Sequence, residues 1–305
     1  MAIRQILFLA MMCKPRTFMR SFLKLASALL ALAAGGEALA QQALRCSYLM
    51  LQKREPAGKY FINEMTLDYD SKSAFFYSEN SFKSDSLSVL AFNEEGGIKN
   101  ENAYSELTRV KSGSNHLRSI IAFPENQFIQ QYHSIVFFKG SMPISIPQWK
   151  LLGDAGESGG YQCKKAEGEF LGRKWTVLYT EEVPVNCGPW LLWGAPGLIV
   201  FAQDSEQLIQ FKLMAAKELR ESRLQQALQY REALSSRKSA VSYSTTMKDA
   251  ELMHSKAVRD PSYLSQLVGY GNSSSYTVDA NGRKTIISSF PYIPLIPDGY
   301  WKDRK

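Results

Sequence analysis

Residues Trp175–Asp204 read Trp-Thr-Val-Leu-Tyr-Thr-Glu-Glu-Val-Pro-Val-Asn-Cys-Gly-Pro-Trp-Leu-Leu-Trp-Gly-Ala-Pro-Gly-Leu-Ile-Val-Phe-Ala-Gln-Asp. Trp175, Val177 and Tyr179 alternate with Thr176, Leu178 and Thr180, the period-2 pattern of a strand. Pro184 has no N–H and ends regular pairing. Two turn signals follow, Gly188-Pro189 and Gly194-Ala195-Pro196-Gly197, with Trp190, Leu191, Leu192 and Trp193 between them. Leu198 to Ala202, which includes Ile199, is a near-continuous apolar run, as expected of a strand buried on both faces. Asp204-Ser205 closes it as a turn. Two strands therefore flank an aromatic loop stiffened by three prolines and shaped by three glycines. Such a loop is either a corner plugging one end of a β core or a ligand-contacting loop. Glycine and proline carry backbone shape and no chemistry, which favours the corner. Gly194 and Gly197 are the positions at which a sharp turn would call for positive φ.

The hexapeptide Gly194-Ala195-Pro196-Gly197-Leu198-Ile199 resembles the signature of the GLPGLI family, with Ala195 in place of leucine. Preceding blocks are similar too, in the same order: Trp149-Lys150-Leu151, Gly160 to Ala166, Phe170 to Trp175, Tyr179 to Pro184 and Gly188-Pro189-Trp190. The likeness spans Trp149 to Leu213. It implies a β-rich protein of a Bacteroidetes-type envelope and carries no established activity.

The chain has 305 residues and a formal net charge of +7. Arg20 and Lys24 precede the apolar run Leu25 to Ala34, and Ala38-Leu39-Ala40 has the small-residue pattern of a cleavage site. Residues 1–40 are therefore expected to be a secretory signal, with the mature chain beginning at Gln41 and Met19 an alternative start. Each early apolar run is too short to span a bilayer. That segment holds five Lys/Arg and Glu37, so its removal lowers +7 to +3. Nucleic-acid binding then has no basis in charge. Residues 41–305 are long enough for one domain with a sizeable core. Cys46, Cys163 and Cys187 remain, which allows at most one internal bridge in an oxidising envelope.

Strands are expected at Arg45 to Gln52, at Tyr60 to Asp68 and Ala74 to Ser78 as a hairpin turned at Asp70-Ser71-Lys72, and at Leu117 to Phe123, Phe128 to Tyr132, Ile135 to Lys139 and Leu208 to Leu213. The serine-rich Asn80 to Ser88 and the polar Asn93 to Asn102 read as loops, and Gly153 to Gly160 as punctuation. Lys217 to about Lys256 lacks proline and glycine and reads as helical, with Leu219, Ala227, Tyr230 and Leu234 on one face and a Ser/Thr-rich break at Ser235 to Thr246. Tyr276 to Val278, Asn281-Gly282 and Thr285 to Ser289 signal a hairpin. Pro291, Pro294 and Pro297 suggest a stiff, exposed end.

Chemistry is sparse. His116, His133 and His254 fall in different elements without metal-ligand spacing. There is no Gly-x-Ser-x-Gly elbow and no glycine-rich phosphate loop. Cys163 and Cys187 are candidate nucleophiles but read as half-buried structural cysteines or a bridge, and Glu167, Glu169, Glu181 and Glu182, a candidate acid–base set, read as solvated carboxylates at strand ends. Arg173 and Asp204 border the central stretch, where a buried pair would fix the corner. Trp175, Tyr179, Trp190 and Trp193, with Arg173, are the candidate ligand contacts. Gly188, Pro189, Gly194, Pro196, Gly197, Leu198, Ile199 and Asp204 form the structural motif. Aromatics this dense fill a core by default or line a pocket.

The expected fold is mainly β, a curved antiparallel sheet or incomplete barrel with a helical segment after the motif. The expected function is non-enzymatic binding of an apolar ligand, a peptide or a periplasmic or outer-membrane partner by a periplasmic, outer-membrane-associated or secreted protein. No cofactor, metal, nucleic acid or transmembrane span is expected. The alternative is a secreted hydrolase.

Overall fold

The computed structural model describes residues 43–302 except 71, 111–116, 124, 134–135, 239, 270–274, 279–282 and 288–290. The expected signal segment, Cys13, His116 and the Asn281-Gly282 turn lie outside them. Strands β1 (Leu44–Lys53), β2 (Tyr60–Tyr69) and β3 (Ser73–Ser78) begin a meander that continues through β4 (Arg118–Ala122), β5 (Gln127–His133) and β6 (Val136–Pro143). A second meander runs through β7 (Lys150–Ser158), β8 (Tyr161–Phe170), β9 (Arg173–Thr180), β10 (Leu198–Asp204) and β11 (Ile209–Glu218). β11 pairs with β1 and fuses the two. With β12 (Val241–Thr246) the result is one open sheet of 12 strands in the order β12-β6-β5-β4-β3-β2-β1-β11-β10-β9-β8-β7. All neighbours are antiparallel except β12 and β6.

Alternation divides the sheet into two faces. Phe76, Leu67, Tyr48 and Phe211 point to the main core with Trp175 and Trp190. Phe75, Tyr77 and Ile120 point the other way and are covered in part by helix α3 (Leu224–Ser235) through Ala227. The Leu171-Gly172 hairpin between β8 and β9 has φ of 49° and 77°, as a two-residue primed turn requires.

Five expectations are corrected. Asn80 to Ser88 is not a loop but part of helix α1 (Glu79–Ala91), whose N-cap Ser78 accepts from Ser81 N–H. The expected loop Asn93 to Asn102 runs into helix α2 (Glu101–Arg109), capped by Asn100. Gly153 to Gly160 is largely strand β7, in which Gly153 and Gly156 take φ of 89° and 77° at register shifts, absorbing two bulges. The run from Lys217 does divide into two helices at the expected break, α3 and α4 (Met247–Arg259), but Lys217 and Glu218 end β11 and the break carries strand β12, in which Val241, Tyr243 and Thr245 alternate inward against β6.

The C-terminal prolines do not make an exposed end. Leu295, Ile296 and Trp301 are buried. A short helix α5 (Pro261–Leu267) and a hairpin of β13 (Ser275–Val278) and β14 (Lys284–Ile287) precede this segment. Proline holds the chain extended without an N–H to satisfy, so the carbonyls of Pro294 and Leu295 are free to face Arg173. No described helix is long and apolar enough to cross a membrane.

Candidate functional site

The corner forms where β9 ends and β10 begins. Gly194 N–H donates to Asn186 O at 2.9 Å and Ile199 N–H to Cys187 O at 3.0 Å, which folds the loop back on itself. Tyr48 Oη donates to Ile199 O at 2.7 Å and ties the corner to β1. Gly194 has φ of 79°, as the turn requires. Gly197 is needed for a different reason: a Cβ there would lie 1.9 Å from Thr180 O. At Gly188 an added Cβ would lie 2.4 Å from Leu192 O. Pro189 accepts from Leu192 N–H, and Leu198 and Ile199 are fully buried.

The candidate ligand contacts all lie inside. Trp175, Tyr179 and Trp190 are each 1% exposed, Trp193 is 6% exposed and Arg173 is 7% exposed. Trp175 and Trp190 pack with ring centroids 6.0 Å apart, and Trp193 packs on Phe123 at 5.4 Å. The space around both loop tryptophans is filled by protein. Arg173 is likewise engaged: Nη1 meets Asp204 at 2.9 Å, Nε donates to Leu295 O at 2.9 Å and Nη2 to Pro294 O at 2.7 Å. Asp204 Oδ1 accepts from Leu208 N–H and Ile209 N–H, both at 2.8 Å. Burial lowers the Arg173 pKa, and Asp204 opposes that. The pair clamps the C-terminal segment onto the turn between β10 and β11.

Behind the corner lies a polar network with no motif to announce it. Trp190 Nε1 donates to Gln130 Oε1 at 2.9 Å. The Gln130 amide donates to Glu251 and meets Tyr132 Oη, and Tyr132 donates to Glu251 Oε1 at 2.8 Å. His254 stacks on Tyr132 with centroids 3.6 Å apart. Glu251 is 3% exposed, and its second oxygen has no partner among the described residues. Burial pushes its pKa up to about 8, against the hydrogen bonds from Tyr132 and Gln130 and with a further push from Asp298.

An acid with a raised folded pKa holds its proton more tightly in the native state. Below about pH 4.5 both states are protonated and the shift has no effect. Between there and about 8 the unfolded chain releases a proton that the native state retains, so stability falls as pH rises. The slope approaches about 1.4 kcal/mol per pH unit. Urea titrations from pH 5 to 8.5 should show this fall, and Glu251→Gln should flatten it. Equal slopes in the two proteins would show that Glu251 is not the titrating group.

The other candidate reacting groups are quenched. Cys46, Cys163 and Cys187 are free and buried. Burial raises all three thiol pKa values, that of Cys46 to about 12. Glu167 pairs with Lys165 and Glu181 with Lys164, each at 2.7 Å on the exposed surface. Glu182 accepts from Gln162 N–H at 2.8 Å. Sequence reasoning missed Gln130, Tyr132 and Glu251. The available signal was a carboxylate on the buried face of α4, beside Met247, Ala250 and Ala257.

No protein-family model matches the chain, and no curated protein matches it. Two solved structures of PNGF-II, in different crystal forms, are similar with TM-scores of 0.46 and 0.44 at 14% and 15% identity. The alignments cover 72% and 68% of this chain, which spans about a third of the length of those proteins, 34% and 33%.

Proposed function

We propose that the chain is a non-enzymatic binding scaffold of the cell envelope, periplasmic, outer-membrane-associated or secreted, which adds an extended segment of a protein partner to strand β7. The observation that carries this is the end of the sheet. Among the described residues β7 is paired on one side only, by β8. Eight of its nine residues are exposed, among them Leu151 at 53% and Leu152 at 41%, with Ile146 just upstream at 45%. An edge strand offers unpaired backbone donors and acceptors, and apolar side chains beside it give a partner something to bury. The register shifts at Leu152 and Ala155, each followed by a positive-φ glycine, twist the second half away and centre a partner's pairing on the end that begins at Lys150 and Leu151.

The envelope assignment rests on the secretory pattern of residues 1–40 and on the resemblance at Gly194–Ile199. The buried state of the thiols and of Glu251 weighs against the hydrolase alternative, because a group without a solvent face meets no substrate. A photocrosslinking residue at Leu152, in cells of the native host, should capture one dominant partner. Amides of residues 150–152 should then exchange more slowly in the purified complex. Leu151→Lys with Leu152→Lys should remove both effects at an unchanged melting midpoint. Identical capture from a control site at Lys212, or unchanged exchange in β7, would sink the reading.

A further inference from the structure

On the face of the sheet turned away from the tryptophans, α3 covers only the part over β3 and β4. Over β2, β1, β11, β10, β9 and β8 the outward side chains stay in contact with solvent. Leu49 is registered opposite Glu64 on one side and Lys212 on the other. Lys212 is opposite Phe201, Phe201 opposite Leu178, and Leu178 opposite Lys165. Registered partners share a face, so Glu64-Leu49-Lys212-Phe201-Leu178-Lys165 is one row across six strands. Glu64 and Lys212 are exposed, and the other four are half-buried. Their chain neighbours Tyr48, Phe211 and Val177 point the opposite way, into the main core. Ile62 and Met214 stand two residues from the row on β2 and β11 and are 63% and 62% exposed. The described residues thus leave an apolar stripe uncovered.

The order of the row is self-complementary. A twofold axis parallel to the strands, lying in the contact plane between β11 and β10, carries each position to the one equally far on the other side. Two copies stacked face to face about it set Glu64 of one against Lys165 of the other, Leu49 against Leu178, and Lys212 over the ring of Phe201. Each contact occurs twice. The rims gain opposite charges, the interior an apolar pair, and the centre a cation over an aromatic face. An axis along the row would instead set Glu64 on Glu64 and Lys212 on Lys212, which like charges forbid. Lys165 already holds Glu167 at 2.7 Å, but both side chains are in water, 40% and 46% exposed, and an ammonium has further donors to give. The row spans five strand spacings of about 4.8 Å, and with its flanking residues the patch offers roughly 600 Å² a side. A standard interface buries roughly 800 Å² a side, so a dimer held here is a weak one.

We propose that this face is a self-association surface, on which a second copy of the chain stacks sheet to sheet about that axis. The face is separate from the β7 edge, and the inference does not rest on the edge reading.

Sedimentation velocity of the protein purified from its native host tests it. The parent should form dimers at sub-millimolar concentration. Glu64→Lys and Lys165→Glu each set like charges together at both rims and should weaken the dimer at least tenfold, with parent-like melting midpoints. An equal mixture of the two variants should dimerise as the parent does, because each rim then joins opposite charges. Should either variant unfold, Lys212→Glu, which removes the cation from Phe201 at an exposed position, decides in its place by weakening the dimer at least tenfold. Leu151→Lys with Leu152→Lys should leave the dimer intact, and a photocrosslinking residue at Lys212 should join two copies of the chain rather than capture the β7 partner. A parent that is monomeric at millimolar concentration overturns the proposal. So does a folded charge variant that dimerises like the parent, a mixture of folded variants no better associated than its components, a dimer lost with the β7 leucines, or the absence of self-capture from Lys212.

Discussion

Gly197→Ala is expected to destabilise the protein by at least about 3 kcal/mol, and Gly197→Val to leave little folded protein at 37 °C. The cause is contact, not dihedral preference. A Cβ at this position would sit 1.9 Å from Thr180 O and 2.6 Å from Thr180 C, so the obstacle is backbone at the end of β9. Leu198 is registered opposite Thr180 and is itself fully buried. Neither side can retreat without breaking the β9–β10 ladder or lifting the corner off Tyr48. Gly299 supplies the control: an added Cβ there meets nothing within 4 Å. Urea unfolding of Gly197→Ala and Gly299→Ala, followed by tryptophan fluorescence, should give well-separated midpoints. Coincident curves would mean that the β9–β10 junction yields, and that the close approach is not what requires glycine.

The strands were legible wherever one face meets a core and the other meets water. Trp175, Val177 and Tyr179 in β9, and the Asp70 turn before β3, needed only period-2 reading and turn chemistry. In that turn Asp70 Oδ1 accepts from Lys72 N–H and Ser73 N–H, both at 2.8 Å. What failed were segments whose composition hides their contacts. α1 hides its contacts because its buried face is partly polar, with Asp85 turned inward to pair with Arg118, which also donates to the Ser81 backbone carbonyl. β7 contains glycines that read as a loop but serve as bulges on an unshared edge. The C-terminal prolines read as exposed because proline statistics know nothing of an arginine 121 residues away that needs their carbonyls.

The sites were less legible than the fold. A motif search looks for reactive residues at fixed spacing, and the polar groups that stand out here have none. Gln130 and Glu251 are 121 positions apart and meet only because β5 and α4 pack together. A weaker cue was present on the helices themselves. Leu224, Ala227, Arg231 and Leu234 follow helical spacing, with Arg231 and Leu234 at i, i+3, so Arg231 lies on the apolar stripe of α3. Glu251 interrupts the stripe of Met247, Ala250 and Ala257 in the same way. A charge on the buried side of an amphipathic helix is a better pointer here than any of the aromatic residues, because aromatic density is what a core of this size needs anyway.

Trp190→Ala should cost about 3–5 kcal/mol, the range for truncating a large buried aromatic. Two further losses act in the same direction. Gln130 Oε1 loses the indole N–H and keeps only Ser119 Oγ at 3.3 Å, and Trp175 loses the ring packed against it. The backbone adds a test specific to this corner. Trp190 has φ of 56°, in the left-handed region where a side chain costs about 1–2 kcal/mol relative to glycine. Alanine therefore removes the packing and retains the strain, whereas glycine removes both. At a buried position glycine usually destabilises more than alanine; here Trp190→Gly should be the more stable of the two by about 1 kcal/mol. Trp193→Ala, whose indole N–H has no partner among the described residues, should cost less than Trp190→Ala. Denaturant curves for the three variants give the ranking directly. A parent-like midpoint for Trp190→Ala would mean that this ring stabilises little and is free to serve as a binding surface. The predicted order would instead place Trp190 in the core, and leave the exposed strand β7 as the surface on which binding is to be sought.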